Sequence, residues 1–145
     1  MIEEYITKIC KILKIQKPII LYDTSAFISD SIYAQCICEP DKQTICLKRM
    51  ETPNPDYLFA IAHELRHIYQ YVYDKQFFLS DYKERNKCSS VEEYNLQIAE
   101  VDANAFVAII MLKNFGLRPQ WEGYTDKVIQ EINKRINTIS PTLND

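Results

Sequence analysis

Both histidines of the chain lie in one stretch, LFAIAHELRHIYQYVY over residues 58–73, and Glu64 directly follows the first of them. On an α-helix, positions i and i+4 lie about 40° apart on one face. The imidazoles of His63 and His67 can therefore converge on one zinc ion, at Zn–N distances of about 2.0–2.1 Å. Glu64 stands on the flank of that face, roughly 60° from His67 by the same helical period. It is badly placed to join the metal beside His63, but well placed to reach a water held there, which is the position of a general base. The plainer alternative is a pair of histidines packed in a core or left on the surface. Against it stand the apolar flanks LFAIA and IYQYVY, which make this helix apolar on most sides. Buried imidazoles need partners, and the chain places no histidine anywhere else.

A catalytic zinc site needs a third protein ligand and one open position. With no histidine left, that ligand must be a carboxylate or a thiolate. The best candidate is Glu100 in AEVDANAFVA, on a second long helical stretch. Ala103, Asn104 and Val107 share its face, and the small Ala103 lets another helix come close. Asn104, one turn on, is a candidate to hydrogen-bond a ligand imidazole and fix its tautomer. Asp102 points about 200° away from Glu100 on the same helix. It is the weaker ligand candidate, with a surface or ion-paired role as the alternative.

These residues need elements to carry them. Ile2, Ile6, Ile9 and Leu13 recur at helical spacing and predict an N-terminal helix within residues 1–15, ended by Pro18. Lys8, Lys11, Lys14 and Lys17 run beside that face, more simply as a solvated face than as a partner-binding stripe. IILYD (19–23) reads as a short strand. SIYAQCIC (31–38) and QTICLKR (43–49) flank the turn EPDK and predict a β-hairpin. Asn54 as N-cap, Pro55 at the first helical position and Asp56 at the positive end of the dipole open the histidine helix, which should run from about 55 to 73. A polar loop, DKQFFLSDYKERNKC, should follow. A capping box, Ser89 with Glu92 or Ser90 with Glu93, then opens a helix that closes at Gly116. A last helix over TDKVIQEINKRINTI turns Val128, Ile129, Ile132, Ile136 and Ile139 inward, and residues 140–145 should fray. There is no repeat, low-complexity segment or linker, so residues 1–145 read as one domain of the α+β class.

HELRH followed by EVDANAFVA resembles the HExxH … E-x-x-A-N-x-F-A pattern of the ImmA/IrrE-type zinc metallopeptidases, of the gluzincin kind. The resemblance covers residues 58–111, and the two motifs together are more specific than HExxH alone. It implies His63, His67 and Glu100 as zinc ligands and Glu64 as catalytic base. It also implies a minimal zincin-like fold, with a small antiparallel or mixed sheet packed on the HExxH helix and on the helix that carries the Glu ligand. The chain departs from the family pattern at Arg66, Val107 and 110–113, none of them a ligand position. ImmA-like relatives act on repressors of phages or mobile elements, so a regulator of that kind is the substrate class that the resemblance implies.

Composition narrows the field. With 145 residues, 47% hydrophobic and 26% charged, the chain is long enough to bury a core without disulfides. A net charge of -3 gives no reason to expect nucleic acid or an anionic membrane as a partner. No apolar run approaches the roughly 20 residues that span a bilayer. The N-terminal stretch has charge every few residues and no small-residue cleavage site, unlike a secretory signal. Five irregularly spaced cysteines fit free thiols in a cytoplasmic protein. With two glycines, Gly116 and Gly123, there is no phosphate-cradling loop. Cys36, Cys38 and Cys46 read as small apolar residues of the sheet rather than a second metal site. A Cys88 nucleophile would leave Glu64, Glu100 and the histidine spacing without a purpose. Tyr69, Tyr71, Tyr73 and Tyr124 are each conceivable donors to an oxyanion, and the sequence does not choose among them. The expectation is a cytoplasmic metallopeptidase with one Zn²⁺ per chain, acting on a protein or peptide. The alternative is a catalytically silent metal-bound module that binds a partner.

Overall fold

The computed structural model describes residues 1–143. Its class is α+β, with five α-helices and a small three-stranded mixed sheet among the described residues. Contacts group the chain into two compact units, Met1–Val72 and the residues from Tyr73 onward.

In the first unit, helix α1 (Ile2–Leu13) buries Ile6, Ile9, Cys10 and Leu13. Lys8, Lys11 and Lys14 are exposed, as a solvated face would be. The helix ends before Pro18 is reached. Lys14 turns left-handed, at φ 57°, and the Ile15 N–H then donates to the Cys10 carbonyl. The sheet has strand order β1-β3-β2, from β1 (Ile19–Leu21), β2 (Ala34–Cys38) and β3 (Gln43–Leu47). β1 runs parallel to β3, with Ile20 opposite Ile45. β2 runs antiparallel to β3, with Cys36 opposite Ile45. The EPDK turn closes through Glu39 N–H on the Lys42 carbonyl. β3, in the middle, buries Thr44 through Leu47, while β1 and β2 are edges.

Helix α2 (Pro55–Leu79) opens as its sequence requires. The Asn54 side chain accepts the Tyr57 N–H at 2.8 Å, and Pro55 fills the first position. Two contacts within the unit fix its entry: Tyr5 Oη donates to the Leu58 carbonyl at 2.9 Å, and Tyr57 Oη to the Lys48 carbonyl at 2.6 Å. The regular helix stops at Asp74, whose φ of -155° and ψ of 62° are non-helical. That is the end expected near residue 73. The segment beyond it is a further helical stretch to Leu79 rather than a loop from the start. Phe78 is buried there, and burying it favours the helical turn.

In the second unit, the helix expected from residue 89 to 116 is two helices, α3 (Val91–Asn95) and α4 (Ile98–Phe115). Ser90 caps α3 by accepting the Glu93 N–H, and the Glu93 carboxylate accepts the Ser89 N–H. The break falls at Gln97, which is extended and whose amide is committed elsewhere. Its Oε1 accepts the Lys83 N–H at 2.6 Å and its Nε2 donates to the Lys83 carbonyl at 2.9 Å. α4 is buried on nearly every side from Ala99 to Met111 and closes at Gly116, with φ 65°. It packs against α5 (Asp126–Ile139), which buries Val128, Ile132 and Ile139, while Ile129 and Ile136 are half-buried. The segment expected to fray instead forms a 3-10 turn over Ser140–Leu143, with Leu143 buried and its carbonyl accepting from Lys113 Nζ. Residues 144 and 145 of that expectation lie outside the described residues. No described helix is long and apolar enough to cross a membrane.

Candidate metal centre

α2 places the two imidazoles one turn apart on a half-buried strip whose neighbours Ile61, Ala62, Leu65 and Ile68 are buried. The Nε2 atoms of His63 and His67 face each other at 3.1 Å. Two ligand nitrogens about 2.05 Å from a tetrahedral ion stand roughly 3.3 Å apart. The pair is thus already at chelating distance. Gln70, one turn further on and fully buried, sets His67: its Oε1 lies 2.8 Å from His67 Nδ1. A carbonyl oxygen only accepts, so Nδ1 carries a proton, and in the neutral ring Nε2 presents its lone pair.

Glu64 is half-buried beside the pair. Its Oε1 accepts the Cys36 backbone N–H at 2.9 Å. The bond follows from strand alternation. Tyr33 and Glu39 pair with β3, so Ala34, Cys36 and Cys38 turn their backbone groups to the free edge. The edge of β2 therefore holds the carboxylate in place. The side chains of Cys36 and Cys38 share one face of β2, and a hydrogen bond between them splits their acidities. That bond, together with burial and the Glu64 charge, pushes the Cys36 thiol well up, and the same bond holds Cys38 down.

In the second unit Glu100 sits in the first turn of α4, 2% exposed. Tyr82 Oη donates to its Oε2 at 2.8 Å and lies 3.0 Å from Tyr94 Oη. Burial, then the Glu100 charge, raises the Tyr82 hydroxyl far above its ordinary range, so it stays a donor. Asn104 Nδ2 donates to Tyr124 Oη at 3.4 Å. Among the described residues, the buried Asn104 Oδ1 has no hydrogen-bond partner. The residue that orients His67 is Gln70. Asp102 is fully buried and ion-paired with Arg135 at 2.9 Å, not on the surface.

Among the described residues, one group of histidine, cysteine and carboxylate side chains could hold a metal ion. The ligand atoms of His63, His67 and Glu100 all lie within 4.8 Å of one another. Two neutral imidazoles and a carboxylate suit a borderline cation such as zinc. The cysteines form no second group. Cys46 pairs with Gln35 and so faces away from Cys36 and Cys38, all five cysteines are free, and Cys88 turns its thiol to the Lys83 carbonyl. In comparisons with protein-family models, curated proteins and solved structures, nothing matches this chain.

Three contributors escaped the sequence reading. Gln70 was within reach, three positions after His67 on the same helix. The Cys36 amide and Tyr82 were not, because a backbone N–H has no sequence signature and Tyr82 lies in a stretch without periodicity.

Proposed function

We propose that the chain is a zinc-dependent metallopeptidase with a minimal zincin-like architecture, its metal held by His63, His67 and Glu100. The observation that carries this reading is the convergence of those three ligand atoms with Glu64 next to the first of them. Two imidazoles and one carboxylate leave a tetrahedral ion one position open, as catalytic sites do and structural sites do not. The resemblance of HELRH and EVDANAFVA to the ImmA/IrrE-type enzymes supports the same reading.

A zinc ion in this group supplies a Lewis acid that polarises a carbonyl and acidifies water. The chain's own residues do the rest. Glu64, steadied by the Cys36 N–H, takes the proton of the attacking water and passes it to the departing amine. An extended substrate pairs with the free edge of β2 through Ala34 and Cys38, since Glu64 occupies the Cys36 amide. The substrate class that the resemblance implies is a regulator of a phage or mobile element.

The test is proteomic. Zinc-loaded parent and Glu64→Gln proteins are incubated with a denatured cytoplasmic extract, and new peptide termini are counted by mass spectrometry. The expected result is cleavage by the parent, stopped by a chelator, and at least about 10²-fold slower in the variant, the lower range for a general base. Equal cleavage by both proteins removes Glu64 from the chemistry. No cleavage by a zinc-loaded parent leaves the metal-bound binding module.

A further inference from the structure

Tyr82 belongs to none of the motifs, yet its position is strongly determined. The next residue, Lys83, is gripped at both its backbone N–H and its carbonyl by the Gln97 side chain, directly before α4. That two-point clamp sets Tyr82 against the first turn of α4, where Glu100 lies. The Tyr82 ring meets the Tyr94 ring edge-on, at 6.3 Å between centroids. Its hydroxyl has one proton, and the carboxylate of Glu100, which only accepts, takes it at 2.8 Å. Tyr94 Oη, at 3.0 Å, then donates to Tyr82 Oη. The order Tyr94 to Tyr82 to Glu100 is thus fixed by donor and acceptor capacity, and each bond in such a chain polarises the next.

We propose that Tyr82 is the positioning residue of the metal centre, holding Glu100 by Oε2 so that the carboxylate binds the ion through one oxygen. The inference rests on the metallopeptidase reading and adds to it the denticity of its third ligand. A carboxylate can bind an ion through both oxygens. A short, part-buried hydrogen bond on Oε2 would leave the other oxygen for the metal and favour a four-coordinate ion with a place for water. Outer-shell partners of this kind change metal affinity about 10–100-fold when removed.

The test uses the full chain and zinc alone. Zinc affinity is measured by competition with a chromogenic chelator for the parent, Tyr82→Phe, Tyr94→Phe and Glu100→Ala, with the melting temperature of each metal-free protein alongside. The expected result is a loss of about 10–100-fold in Tyr82→Phe, a smaller loss in Tyr94→Phe, and a metal-free melting temperature for Tyr94→Phe close to the parent's. X-ray absorption on the zinc-loaded parent should give a four-coordinate ion with a single-oxygen carboxylate. That measurement decides the matter even if Tyr82→Phe folds poorly. Parental zinc affinity in Tyr82→Phe, or two-oxygen binding in the parent, overturns the role of Tyr82 while the metal site stands. A parent that binds no zinc, or a Glu100→Ala variant that binds it as tightly, overturns the metal reading and this inference with it.

Discussion

Two imidazole nitrogens 3.1 Å apart share one hydrogen between them unless a cation takes its place. Gln70 biases that choice by claiming the proton of His67 Nδ1, which leaves Nε2 as the lone-pair donor. Glu64 stands outside this pairing because the Cys36 amide holds it on the strand edge. The same edge carries two thiols of opposite character, both half-buried. The hydrogen bond from Cys36 holds Cys38 below the ordinary thiol value, while that bond, burial and the Glu64 charge push Cys36 above it. The thiolate is the nucleophile, so a lower value means more reactive sulfur at a given pH. Iodoacetamide near pH 8 should therefore label Cys38 before Cys36, as read by peptide mass spectrometry over time. Cys36 should catch up only as the pH rises. Faster labelling of Cys36 would reverse the assigned direction of their hydrogen bond.

At the scale of elements, α4 shows how one helix keeps two carboxylates apart. Glu100 and Asp102 are both buried, but Glu100 takes Tyr82 and Asp102 takes Arg135 of α5. The Arg135 side chain is 26% exposed and the Asp102 side chain 0%. Removing only the cation leaves a buried charge, so Arg135→Met should lower stability by about 3 kcal/mol. The double variant Asp102→Leu/Arg135→Met should recover most of that loss, because an apolar pair costs no desolvation. Urea denaturation of both variants checks this, and an additive loss in the double variant would mean the ion pair is not the cause. The start of α2, the hairpin, Gly116 and the inward face of α5 were legible because caps, turns and periodicity are local signals. The division of residues 89–116 into α3 and α4 was not, because it depends on Gln97 bonding to Lys83, 14 positions away in the chain. Nor was the helical stretch after Asp74, where the packing of Phe78 outweighs a polar local sequence. For the metal group, helical spacing was enough to single out His63 and His67 and to prefer Glu100 to Asp102. Gln70, which sets His67, lies on the same helix, whereas the Cys36 amide and Tyr82 lie on other segments and leave no such pattern.

At the scale of the whole molecule, 145 residues with free cysteines must find their stability in packing and in what they bind. A metal that prefers the folded chain stabilises it by its binding energy. Its ligands should therefore report on folding as well as on chemistry. The most direct test of the central claim is a calorimetric zinc titration of the metal-free chain, run in parallel on Glu100→Ala and Asp102→Asn. One zinc per chain is expected in the parent and in Asp102→Asn. In Glu100→Ala the expected affinity is weakened by more than about 100-fold, beyond the cost of losing an outer-shell partner. Unchanged affinity in Glu100→Ala, or no zinc binding by the parent, would contradict the central claim.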